Sequence, residues 1–133
     1  MQQIVLDAYP EAAVSVFVVW VPMLTADSVT AAEEVAGLII DPRAVHLYDN
    51  ARQIGRGIAA SVGGVDTVAW DTYLFYRPGA TWMEAPPPPD RWMHQLGPST
   101  WADPNRFRWA ESLRRELQTA AVELLGMPTV GPP

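Results

Sequence analysis

The chain has 133 residues, of which 49% are hydrophobic and 18% charged, with no cysteine and a net charge of −6. Such a length and composition describe one globular domain that buries roughly two-thirds of its unfolded surface without disulfide or metal staples. Missing thiols exclude disulfide, thiolate and cysteine–metal chemistry, and the acidic balance argues against nucleic acid as a partner, because phosphate binding rests on many Lys and Arg contacts.

The histidines are His46 and His94. A zinc site would need carboxylates beside them, and no i, i+4 spacing joins the two, so each is read as a structural histidine, and no metal and no cofactor is expected. The longest apolar run, residues 16–21, is far short of the roughly 20 residues of a membrane span. The first residues lack the basic and apolar regions of a secretory signal. A soluble, cytoplasmic protein is therefore expected. A leader removed upstream would leave the same sequence and place the protein in the periplasm or outside the cell.

In chain order, residues 1–13 form a variable segment in which residues 4–6 offer an edge strand and Tyr9-Pro10 a turn. Residues 14–21 are rich in Val, Phe and Trp without polar alternation after Ser15, the pattern of a strand buried on both faces and ended by Pro22. Asp27, Ser28 and Thr30 are possible caps of a first helix, Thr30 and Glu33 matching a capping box, with Val29, Ala32, Val35 and Ala36 inward. Residues 44–48 read as a second strand. Asp49 or Asn50 caps a second helix that buries Ile54, Ile58 and Val62 and ends at Gly63-Gly64. Gly55 and Gly57 within it cost up to about 1 kcal/mol each against Ala, which calls for a close backbone approach.

Residues 68–76 are the second strong strand, largely apolar on both faces and expected beside residues 14–21. Arg77-Pro78-Gly79-Ala80 suits a type II turn, after which residues 81–84 would pair back as a hairpin. Residues 86–89 are four prolines, a stiff connection, though an aromatic groove on another protein could also recognise them. Residues 91–96 read as a helical turn presenting Trp92 and Met93. The last helix opens at Asp103-Pro104, carries Phe107, Ala110, Leu113, Leu117, Ala120 and Leu124, and stops at Gly126. A disordered tail, residues 127–133, would follow.

The order strand, helix, strand, helix, strand, hairpin strand, helix resembles the thioredoxin-like arrangement, an α/β fold with a mixed sheet and helices on both faces. Trp20-Val21-Pro22-Met23-Leu24 falls where thioredoxins hold Trp-Cys-x-x-Cys, with Val21 and Leu24 in the cysteine positions. Val19-Trp20-x-Pro22-x-Leu24, Asp41-x-Arg43-x-x-x-x-Tyr48-Asp49, and Trp70-Asp71 followed by Tyr76, Gly79 and Trp82 make the chain similar to uncharacterised bacterial thioredoxin-fold proteins. The resemblance covers roughly residues 12–96, within a core of residues 14–126. Both cysteines are replaced by apolar residues, and no proline lies between Ala44 and Tyr76 to act as the family's substrate-binding cis-proline. The resemblance implies the fold without its thiol–disulfide activity.

Trp20, Pro22, Met23 and Leu24 lie at the C-terminal end of a parallel strand, where α/β sheets leave a crevice, and read either as an apolar docking patch or as core packing. Asp27, Asp49 and Asp71 fall near strand ends and helix starts, as caps and a hydrogen-bond acceptor or as carboxylates of a shared cleft. Trp82, Trp92, Trp101 and Trp109 cluster in the C-terminal half, as an interface or as a seal between helix and sheet. The leading expectation is a redox-inactive module that binds a protein partner or a second copy. The alternative is a non-thiol enzyme or small-ligand binder using the crevice at Trp20 to Asp27. A purely structural domain is the third.

Overall fold

The computed structural model describes residues 1–97 and 100–126; the tail expected at 127–133 lies outside the described residues. Seven elements carry the chain: β1 (Val16–Trp20), α1 (Val29–Ala36), β2 (Ala44–Tyr48), α2 (Gln53–Ser61), β3 (Thr72–Phe75), β4 (Arg91–His94) and α3 (Ala110–Leu125). A π-helical turn, Gln2–Leu6, precedes them, and a 3-10 turn, Pro104–Arg106, precedes α3. The molecule is mixed α/β. Its strands form two small sheets, β1 parallel to β2 and β3 antiparallel to β4.

This division departs from the single sheet expected, because β3 pairs with β4 and not with β1 among the described residues. The strand that returns to β3 also lies later than residues 81–84. Proline has no N–H for a ladder, and residues 86–89 are all proline, so pairing resumes beyond them at Arg91–His94. Those residues are a strand, not a helical turn, and Trp92, Met93 and His94 are buried. The turn at Arg77 to Ala80 forms as expected, with Ala80 N–H donating to Arg77 O at 3.3 Å and Gly79 at φ +92°.

Residues 4–6 are not an edge strand, and the first residues are not peripheral. Val5 and Tyr9 pack on Ala121 of α3, and Met1 and Ile4 on the cluster of Phe75, Met93, Leu117, Ala120 and Leu124. Ser28 caps α1 through Ala31 N–H at 3.1 Å, and Ala32 is its buried residue. In α2, Ile58 and Ala59 are buried against Ala69. A Cβ on Gly55 would lie 2.6 Å from Val68 Cγ1 and 3.1 Å from Ala69 O, which is the close approach its glycine serves. Asp103 and Pro104 cap the 3-10 turn instead of the long helix, which begins at Ala110 and ends at Gly126 with φ +63°.

Candidate functional site

The junction after β1 is held by local bonds. Trp20 Nε1–H donates to His46 Nδ1 at 3.2 Å, and His46 Nε2 lies 3.0 Å from Ile39 O. With Nδ1 accepting, Nε2 carries the proton and donates to the carbonyl, so the neutral tautomer fits this arrangement. The two ring planes are nearly parallel, 10° apart, with centroids 6.0 Å from one another. Trp20 and His46 thus tie β1 to β2 across the sheet.

Asp27 turns back on its own loop. Its Oδ2 accepts from Met23 N–H and Leu24 N–H, both at 2.7 Å, leaving the α1 N-terminus to Ser28. Pro22 and Met23 are half-buried, while Leu24 is 67% exposed. The result is a closed turn with one projecting leucine.

Asp49 is buried and accepts from Gln53 N–H and Gly55 N–H, each at 2.8 Å. It satisfies the first turn of α2, where residue 52 sits in the left-handed region at φ 55° and offers no side-chain cap. Asp71, also left-handed at φ 47°, opens β3, and Gln95 N–H donates to its carbonyl at 2.9 Å. Partial desolvation pushes the Asp71 carboxyl pKa up; burial first, and then that carboxylate, push the Tyr73 hydroxyl up. Asp27 and Asp49 each serve their own loop or helix start through the carboxylate, whereas Asp71 links β3 to Gln95 through its backbone carbonyl.

Two surface depressions lie apart from all three. A depression of about 470 Å³ is lined by Ala36, Ile39, Ile40, Pro42 and His46 among others. Another of about 510 Å³ is lined by residues that include Met1, Ile4, Tyr73, Glu111, Arg114 and Leu117. Asp27, Asp49 and Asp71 line neither. Among the described residues no group of three His, Asp or Glu side chains is placed to hold a metal ion.

The tryptophan cluster divides. Trp92 and Trp101 stack with centroids 6.5 Å apart and pack with Leu96 and Ala102, while the Arg106 guanidinium carbon lies 5.0 Å from the Trp92 ring centre. Trp82 touches Tyr76 edge-on and, like Trp109, is exposed. His94 is buried, with Nε2 2.8 Å from Asp103 O and Nδ1 accepting from Leu96 N–H at 3.2 Å. The first pair seals the interior.

The most exposed apolar surface of the first sheet was not legible in the run of residues 14–21. β1 and β2 are in register with Phe17 opposite Val45 and Val19 opposite Leu47, so these four share one face. Phe17 is 65% exposed, Val45 46% and Leu47 38%. Alternation in β2 is the signal that points there, since Val45 and Leu47 face away from His46. Among the described residues no helix is long and apolar enough to cross a membrane. Comparison with protein-family models, with characterised proteins and with solved structures found no match.

Proposed function

We propose that this chain is a redox-inactive binding or accessory module that acts by protein–protein association, built on a thioredoxin-like βαβ unit without thiols. The observation that carries the reading is the bare apolar face of the β1–β2 sheet at Phe17, Val45 and Leu47. Parallel strands are ordinarily covered on both faces, because their side chains are apolar on both. Exposed apolar patches rimmed by polar residues mark interaction sites. The element order supports the thioredoxin-like part: βαβ, a second helix, an antiparallel pair and a closing helix. A pairing between β1 and β3, which that arrangement also calls for, is missing among the described residues. A small-ligand site at the junction draws no support, since no carboxylate of Asp27, Asp49 or Asp71 lines either depression.

The test is capture from host extract on immobilised protein, comparing the native chain with Phe17→Asp and Leu47→Asp. Loss of the captured protein with unchanged far-ultraviolet circular dichroism is expected. Equal capture by native and substituted chains would refute the reading. Trp20 is a poor probe, because its substitution also removes the bond to His46.

A further inference from the structure

The loop from Tyr76 to Asp90 joins two neighbours. β3 and β4 are antiparallel with Phe75 opposite Arg91, so the chain returns beside the strand it left, and such a connection needs as few as two residues. Loops longer than about 12 to 15 residues without secondary structure are uncommon in a compact domain and usually carry function. Four consecutive prolines, residues 86–89, stand in this one. The run is not needed to span a gap.

Its backbone is dictated by its own chemistry. Each ring fixes φ near −65°, and a following proline holds ψ of the residue before it at about +120 to +160°. Residues 86, 87 and 88 meet both conditions, and no described peptide bond is cis. They form a left-handed polyproline II rod with three residues per turn. Exposure follows that period, with Ala85 and Pro88 exposed, Pro86 and Pro89 half-buried. Pro86 sits against α2, where a Cβ on Gly57 would lie 3.2 Å from its Cδ. At the other end Asp90 N–H donates to Phe75 O at 3.0 Å, and Asp90 Oδ2 accepts from Arg77 N–H at 2.8 Å. One edge of the rod rests on the molecule, and the edge of Ala85 and Pro88 faces solvent.

We propose that Pro87 and Pro88 dock into a partner protein that presents an aromatic-lined groove for polyproline II segments. Such a groove reads a rod that is already ordered, loses little entropy on binding and offers ring faces to aromatic side chains. The basic residues beside the run are engaged, Arg91 by Glu116 and Glu123 and Arg77 by Asp90. Glu84 next to it is exposed, and the chain carries −6. The groove that fits therefore reads proline without an accompanying cation and has a neutral or basic rim. One exposed turn makes a small contact, so the complex is weak, micromolar or above. This surface shares no residue with the face of Phe17, Val45 and Leu47 and goes beyond the association assigned to that face.

Capture from host extract on the immobilised full chain tests this, with elution by free polyproline peptide and by a glycine–serine peptide of equal length as control. Polyproline should release a captured protein that the control leaves bound, and that protein should itself bind polyproline-coated beads. Pro87→Ala together with Pro88→Ala leaves Pro86 and Pro89 in place. It should reduce capture of that protein at least fivefold with unchanged far-ultraviolet circular dichroism. Should the double variant fail to fold, the peptide elution decides alone. If polyproline releases nothing, or the folded double variant captures the released protein as well as the native chain does, the proposal is overturned. Phe17→Asp separates the two surfaces, since it should leave capture of the polyproline-released protein intact. If polyproline releases nothing while Phe17→Asp still loses a captured protein, the association through the sheet stands and only the proline site is refuted.

Discussion

Arg43 grips Asp41 with two parallel bonds, Nε to Oδ1 at 2.8 Å and Nη2 to Oδ2 at 2.7 Å. Its remaining N–H groups donate to Leu6 O at 2.9 Å, Tyr9 O at 2.7 Å and Ala12 O at 3.3 Å. All five donors of one guanidinium are used. One side chain thereby fastens the first twelve residues to the start of β2. Lysine has three donors and no planar fork, so Arg43→Lys should strand two or more carbonyls and lower the midpoint of urea denaturation.

Acid should release the same clasp. Hydrogen bonds from Arg43 lower the Asp41 pKa to about 2, and those from Arg91, then Arg108, lower that of Glu116. A carboxylate depressed in the folded state binds fewer protons there than in the unfolded chain, so its contribution is complete above about pH 4.5. That contribution is lost as pH falls toward the folded values. Melting temperatures measured from pH 5 down to pH 2 should decline through this window, and Asp41→Asn should flatten the lower part of the decline.

Asp49 is the acceptor for the start of α2. Asp49→Ala removes the partner of Gln53 N–H and Gly55 N–H and should cost about 1–2 kcal/mol in a thermal melt. Asp49→Asn keeps one acceptor oxygen and should lose less.

Gly55 and Gly37 separate packing from propensity. An added Cβ at Gly55 meets Val68 Cγ1 at 2.6 Å and the Ala69 carbonyl oxygen at 3.1 Å, whereas at Gly37 it meets nothing within 4 Å. A β-branched side chain has little freedom to move aside. Gly55→Ala should therefore destabilise by about 1–3 kcal/mol even though alanine favours the helix by up to about 1 kcal/mol. Gly37→Ala should change the melting temperature little.

Elements with strong local chemistry were readable from sequence. The Arg77-Pro78-Gly79-Ala80 turn, the Gly126 helix stop and the need for closeness at Gly55 follow from φ preferences and the absence of a side chain. Long-range pairing was not. The run of residues 14–21 looks the same whether one face or both are covered, so Phe17 could not be distinguished from an interior residue. Trp92 and Met93 in a strand depend on the proline run displacing the hairpin partner. At the candidate site, Asp27, Asp49 and Asp71 were read as two caps and a hydrogen-bond acceptor, but spacing could not show that the carboxylates of Asp27 and Asp49 each bond their own segment while Asp71 meets Gln95 through its backbone carbonyl. Trp82 and Trp109 proved exposed and Trp92 and Trp101 internal, a distinction set by packing partners remote in sequence.

Among the described residues, four apolar clusters form the interior, and none of them contains a residue of β1, α1 or β2. That portion is held to the remainder by Arg43, by Asp49 at the start of α2 and by the approach of Val21 to Gly55. Warming should loosen it ahead of the interior, giving two melting steps in calorimetry. Its amides should exchange with deuterated solvent sooner than those of α3.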